Sequence, residues 1–238
     1  PSQGRLSSGD VIVAGTPLED VVKDMLQEDA FPEFSLAGSG PKLVESGTLI
    51  TPTLTPTFVP GDAGPANAYE LFKGVASIYT NATPAAHIDT GFNIGDETVS
   101  YYATVDHDAN VLPADTLTSN TINYVGARAA FKALTGDLVN IRSNGSPVNV
   151  GVSSGTQIVI TGAAGHKRMM WSYPDSLGSP SALDYYNGFS TNPVLGDLVR
   201  EADQSVNDAS GANPVLYRVY TYTQLIDFTT SDVLTLTI

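Results

Sequence analysis

The chain has 238 residues, 25 acidic side chains against 11 basic ones, a formal net charge of −14 and no cysteine. Its length allows one large or two ordinary domains, and the absence of thiols excludes disulfide frameworks, zinc ribbons and thiolate nucleophiles. A surface this negative repels phosphate backbones and anionic lipid heads, so neither nucleic acid nor a membrane is an expected partner. No apolar run approaches the roughly 20 residues that span a bilayer. Pro1-Ser2-Gln3-Gly4-Arg5 lacks the start of a secretory signal. The expectation is a soluble protein made in the cytoplasm, one that has lost only an initiator Met.

Near the start, Thr16-Pro17-Leu18-Glu19 reads as a capping box with Pro at the first helical position. Leu18, Val21, Val22, Met25 and Leu26 then follow in one apolar stripe, which predicts a helix over about 17–27. So short a helix must dock on a sheet or a neighbouring subunit, and these five residues are the candidate interaction face.

Over the whole chain Val, Ile and Thr number 57 against 12 Lys and Glu, a balance that favours strands. Candidate strands are Glu33–Ala37, Lys42–Leu49, Leu54–Val59, Gly74–Tyr79, Thr98–Asp106 and Thr121–Leu134. Prolines 52 and 56 mark the stretch Thr51–Thr57 as an edge strand or connector. Further strands are expected over Gln157–Thr161, Arg168–Tyr173, Leu216–Tyr222 and Val233–Ile238. Residues 1–126 hold 16 acids and 4 bases, while residues 127–238 hold 9 acids and 7 bases, so the two halves differ in surface. The predicted fold is all-β: an N-terminal docking segment (1–30), an acidic immunoglobulin-like β-sandwich (31–120) and a Tyr-rich β-sandwich, immunoglobulin-like or jelly-roll-like (121–238).

Motifs for catalysis are few. Gly151-Val152-Ser153-Ser154-Gly155 matches G-x-S-x-G, but a strand follows where a nucleophile elbow needs a helix, so a turn is the reading. His87, His107 and His166 have no surroundings that favour a Ser-His-Asp site. Asp106, Asp108 and Asn110 open like a calcium loop, yet Val111 and Leu117 stand where Gly and Glu should be; an exposed acidic turn is preferred over a Ca²⁺ site between loops. Asp96-Glu97 would face opposite ways on a strand, unlike a glycosidase pair. No cofactor motif is present. Trp171, Tyr173, Tyr185 and Tyr186 are either core aromatics or a sugar-stacking platform.

A resemblance covers nearly the whole chain. The opening Val11–Leu26 resembles the "AGT-x-LE-x-hL-x-x-ML" start of virion structural proteins of tailed phages, crAss-like and related phages among them. Val44-Glu45-Ser46-Gly47 is similar to their "VE-x-G" strand and Tyr124-Val125-Gly126-Ala127-Arg128-Ala129-Ala130-Phe131 to "YVGYRA-x-FYG". Ile141-Arg142-Ser143 resembles "IR-x-L", Gly165–Pro174 "G-x-KR…AYP", and Tyr217–Tyr222 "Y-K-V-Y-T-Y". Ala127 departs from the expected Tyr, and Lys132-Ala133 from Tyr-Gly. What the resemblance implies is a two-domain β-protein of the virion, used as a decoration, fibre or tail component without catalysis. Its implied partners are other virion proteins and further copies of itself. The alternative is a carbohydrate-binding module for host surface glycans, and a polysaccharide-degrading enzyme ranks below both.

Overall fold

The computed structural model describes Glu19, Val22 and residues 29–134, 141–148 and 150–238. The described chain is an all-β protein with several sheets. The helix expected over 17–27, with Leu18, Val21, Met25 and Leu26, lies outside the described residues; Glu19 and Val22 are helical and exposed.

The chain forms two compact units. The first takes residues 29–40, Thr51–Thr90 and Val99–Asn123; the second takes Pro41–Ile50, Gly91–Thr98 and Tyr124–Ile238. Two segments from the sequence-drawn acidic domain therefore fold with the second unit, because their hydrogen-bonding partners lie there.

In the first unit, β1 (Glu33–Gly38), β4 (Thr53–Val59) and β7 (His87–Ile88) form an antiparallel sheet in the order β1-β4-β7. The proline-bearing strand is thus central, not an edge. β7 reaches only Thr53 and Leu54, so it ends before Pro56, where no ladder donor is needed on that side. Pro56 lies opposite Leu36, whose own backbone is satisfied elsewhere: its N–H donates to Asn120 Oδ1 at 2.8 Å and its C=O accepts from Asn120 Nδ2 at 3.0 Å.

A second sheet of this unit runs β10 (Asp115–Thr118), β9 (Thr98–His107), β5 (Ala66–Lys73), β6 (Ala76–Asn81), antiparallel throughout. Alternation on β9 buries Tyr101, Ala103, Val105 and His107 and leaves Tyr102, Thr104 and Asp106 on the other face. The inner residues meet the first sheet: Phe34 packs edge-on to Tyr69 at 6.3 Å, and Phe58 stacks on His107 at 6.1 Å. Asp89 is buried here, which raises its pKa, but donation from the Tyr101 hydroxyl (2.6 Å) and the Lys73 ammonium (2.9 Å) outweighs burial and lowers it overall.

The chain passes into the second unit along β11 (Ile122–Ala127), which pairs in parallel with β2 (Leu43–Glu45). A short pair joins β3 (Leu49–Ile50) to β8 (Phe92–Asn93). The expected strand Lys42–Leu49 is broken into β2 and β3 by Gly47, which turns at φ +85°. Arg128 and Ala129 likewise divide the expected strand Thr121–Leu134 into β11 and β12 (Ala130–Ala133).

The main sheet of this unit is β13 (Ser146–Val148), β12, β15 (Arg168–Pro174), β20 (Val215–Thr223), β18 (Val199–Arg200), with β19 (Gln204–Val206) also on β20. The other is β14 (Gln157–Thr161), β21 (Asp232–Thr237), β16 (Ala182–Asn187), β17 (Thr191–Pro193). Met169, Trp171, Tyr173, Tyr220 and Tyr222 from the main sheet form one core with Ile158, Ile160, Leu183, Leu234 and Leu236 from the other. The opposite face of the main sheet is covered as well. There Phe131, Met170, Tyr217 and Val219 pack with Val206 and with Ile141 of the short helix α1 (Ile141–Asn144). Burial on both faces explains why Met169-Met170-Trp171 is apolar without alternation.

Candidate functional site

The residues singled out as glycan contacts do not share a surface. Trp171 and Tyr173 are fully buried; the indole N–H donates to Ile158 O at 3.2 Å, and Tyr173 stacks on Tyr220 with centroids 5.8 Å apart. Tyr185 and Tyr186 are neighbours on β16 and point to opposite faces; the first donates to Asp232 at 2.6 Å and the second, exposed, to Gly188 O at 2.8 Å. A platform made of these four is therefore corrected to two core aromatics and two separate strand residues.

The calcium-loop candidates also part company. Asp106 accepts from Thr116 Oγ1 and Asp108 from Asn67 Nδ2, both at 2.6 Å, while the Asn110 backbone N–H donates to Leu112 O. Among the described residues no three His, Asp or Glu side chains are grouped to hold a metal. Gly151–Gly155 is a turn, with Thr156 N donating to Ser153 O, and it leads into β14.

What the structure does assemble is a polar joint in the second unit. Ser46, wholly buried in the turn after β2, donates its hydroxyl to Asp96 Oδ1. The other oxygen of Asp96 pairs with Arg128 Nε at 2.8 Å, and Arg128 Nη2 donates to Asn213 O at 2.8 Å. Glu45, at the end of β2, pairs with Arg142 of α1. Arg142 Nε donates to Asn207 O at 2.9 Å, and its guanidinium lies 5.2 Å from the Phe131 ring centroid. Backbone contacts close the same joint: Ser46 N donates to Ala127 O, Gly47 N to Ile94 O, Gly126 N to Glu97 O, and Ala209 N to Ser46 O.

Asp208 anchors the far side. It is buried, which disfavours its charge, yet it accepts from Ser210 N (2.9 Å), Ser210 Oγ (2.6 Å), Ala212 N (3.1 Å) and Asn213 Nδ2 (2.8 Å). These donors prevail and hold its pKa down at about 2. The Asp208 carboxyl lies 2.5 Å from where a Cβ on Gly47 would sit, so that turn has room only for glycine. Gly126 is constrained in the same way, by Gly95 O at 1.9 Å from its would-be Cβ.

No protein family, curated protein or solved structure matches this chain. The site is therefore read from its own chemistry. The Asp96 carboxylate that the Ser46 hydroxyl meets is already paired with Arg128, and Ser46 has no solvent exposure through which to meet a substrate. The arrangement is cohesive: charge-assisted hydrogen bonds tie 41–50 and 91–98 to β11, α1 and the 207–213 loop.

Sequence reasoning found Val44–Gly47, Tyr124–Arg128 and Ile141-Arg142 as separate motifs, but missed Asp96 and Asp208 as their partners. One available signal was the scarcity of cations in so acidic a chain. All five arginines among the described residues, Arg128, Arg142, Arg168, Arg200 and Arg218, form ion pairs.

Proposed function

We propose that the chain is a non-enzymatic structural protein of a tailed-phage particle. In this reading its two units are β-sandwiches, of immunoglobulin-like or jelly-roll-like type, that assemble with capsid or tail subunits and with further copies of the chain as a decoration, fibre or tail component. The observation that carries the reading is the joint. The motif residues Glu45, Ser46, Gly47, Gly126, Arg128 and Arg142 all serve to hold chain segments together. A likeness at such residues is a likeness of architecture, which is what a particle subunit has to keep.

Made in the host cytoplasm, the protein would be carried on the finished virion. The stripe Leu18, Val21, Val22, Met25 and Leu26 is the proposed docking face, and a basic or apolar groove on the partner suits its acidic flanks. Antibody against this chain is expected to decorate purified particles in electron micrographs, and deletion of residues 1–28 to abolish incorporation. Particles that carry no label refute the virion assignment; normal incorporation of the deletion variant refutes the docking face.

A further inference from the structure

On the first unit, the face of β5, β6 and β9 turned away from the core has a defined order. Register sets Ala68 opposite Asp106, Glu70 opposite Thr104 and Thr80, and Phe72 opposite Tyr102. Rows on one face are about 7 Å apart along the strands, and neighbouring strands about 4.8 Å apart. Phe72 and Tyr102, both half-buried, stack with centroids 4.7 Å apart and planes 5° from parallel. Beside them an open concavity of about 490 Å³ is lined by Ala68, Glu70, Thr80, Ala82, Thr104 and Asp106.

The polar groups there are poised to accept. Asp106 is oriented by the Thr116 hydroxyl at 2.6 Å. The Glu70 carboxylate has no hydrogen-bond donor or cation among the described residues. Anionic ligands are excluded by charge, since residues 29–40, 51–90 and 99–123 of this unit hold eight acids and a single base, Lys73, which pairs with Asp89. Among the described residues no third His, Asp or Glu joins Glu70 and Asp106 in a group that could hold a metal ion.

We propose that this face binds a neutral glycan. The Phe72–Tyr102 stack offers its apolar surface to the CH face of one sugar ring, and the Glu70 and Asp106 carboxylates accept hydroxyl protons from the rings that follow. Thr80 and Thr104 supply hydroxyls that donate or accept as the sugar requires. The ring row and the Asp106 row are about 14 Å apart, the span of a short oligosaccharide. The site does not depend on the virion reading, since a glycan surface serves a particle subunit and a free binding module equally.

Titration calorimetry of the full chain tests it, with malto-, cello-, chito- and manno-oligosaccharides in EDTA and oligogalacturonate as the anionic control. At least one neutral oligosaccharide is expected to bind at up to millimolar concentration. Glu70→Gln, which keeps side-chain size outside the core, is expected to weaken it roughly tenfold or more. Tyr102→Thr, which keeps a strand-forming residue, is expected to do the same, and Tyr186→Phe in the second unit to leave binding unchanged. Silence across the neutral panel, preference for the anionic sugar, binding only with added calcium, or wild-type affinity in Glu70→Gln each overturns the proposal. Should Tyr102→Thr fail to fold, Glu70→Gln decides alone.

Discussion

Replacing Asp208 by Asn changes one oxygen for an amide nitrogen and isolates the electrostatic part of the joint. The folded pKa of about 2 compares with about 3.9 for an unperturbed Asp, and at about 1.4 kcal/mol for each pH unit the difference contributes about 2.6 kcal/mol. Because the folded value is depressed, this stabilisation is complete above about pH 4 and is lost as the pH falls towards 2. In the variant, Oδ1 still accepts from Ser210 and Ala212, but the new amide opposes the Asn213 Nδ2 donor, now 2.8 Å from the former carboxylate oxygen. Two donors then face each other in a buried place.

Urea unfolding followed by fluorescence reads this directly, since the chain has one tryptophan and Trp171 lies in the core of the same unit. The variant is expected to be about 2.6 kcal/mol less stable than wild type at neutral pH, with the gap narrowing to about 1 kcal/mol at about pH 2.5 as the wild-type carboxylate takes up its proton. Other depressed carboxylates, Asp89 and Asp232 among them, titrate in both proteins and cancel in the difference. A gap below about 0.5 kcal/mol at neutral pH, or one that persists unchanged in acid, refutes the role given to Asp208.

Gly126→Ala brings a Cβ to within 1.9 Å of Gly95 O; as both groups are backbone, the expected loss exceeds about 2 kcal/mol. Gly196→Ala, with nothing within 4 Å of the new Cβ, is expected to leave the thermal midpoint almost unmoved. Tyr217→Phe removes the hydroxyl that donates to Ala129 O at 2.9 Å in a fully buried place, at an expected cost of about 1–3 kcal/mol. The same change at exposed Tyr186 is expected to stay within about 0.5 kcal/mol.

Strands whose side chains alternate between core and surface were readable from local pattern. β9, β14 and β21 match their expected spans to within two residues at each end. β5 was not, because Ala66-Asn67-Ala68 has little strand propensity and only Tyr69 and Leu71 reach the core. Its absence from the sequence reading also hid the Phe72–Tyr102 pair. Pro56 misled because a proline reports which side of a strand lacks a partner, not whether the strand has two neighbours. Trp171 and Tyr173 could be core or platform until β15 was seen to be covered on both faces. The joint had no local signature: Glu45 and Arg142 are 97 residues apart, and Asp96 and Arg128 are 32 apart. The charge step near residue 126 reflects composition and does not follow the path of the chain, which crosses between units more than once.

That path has a consequence for biosynthesis. Ser46 leaves the ribosome long before Arg128, Arg142 and the 207–213 loop exist, and at roughly 5–20 residues per second the wait for Ala209 is on the order of 10–30 s. Until then Pro41–Ile50 lacks its full set of joint partners, and a fragment that stops near residue 120 lacks Arg128, Arg142 and the 207–213 loop altogether. The first unit, although built from the earlier part of the sequence, is therefore flanked by segments that await their partners until translation is nearly over.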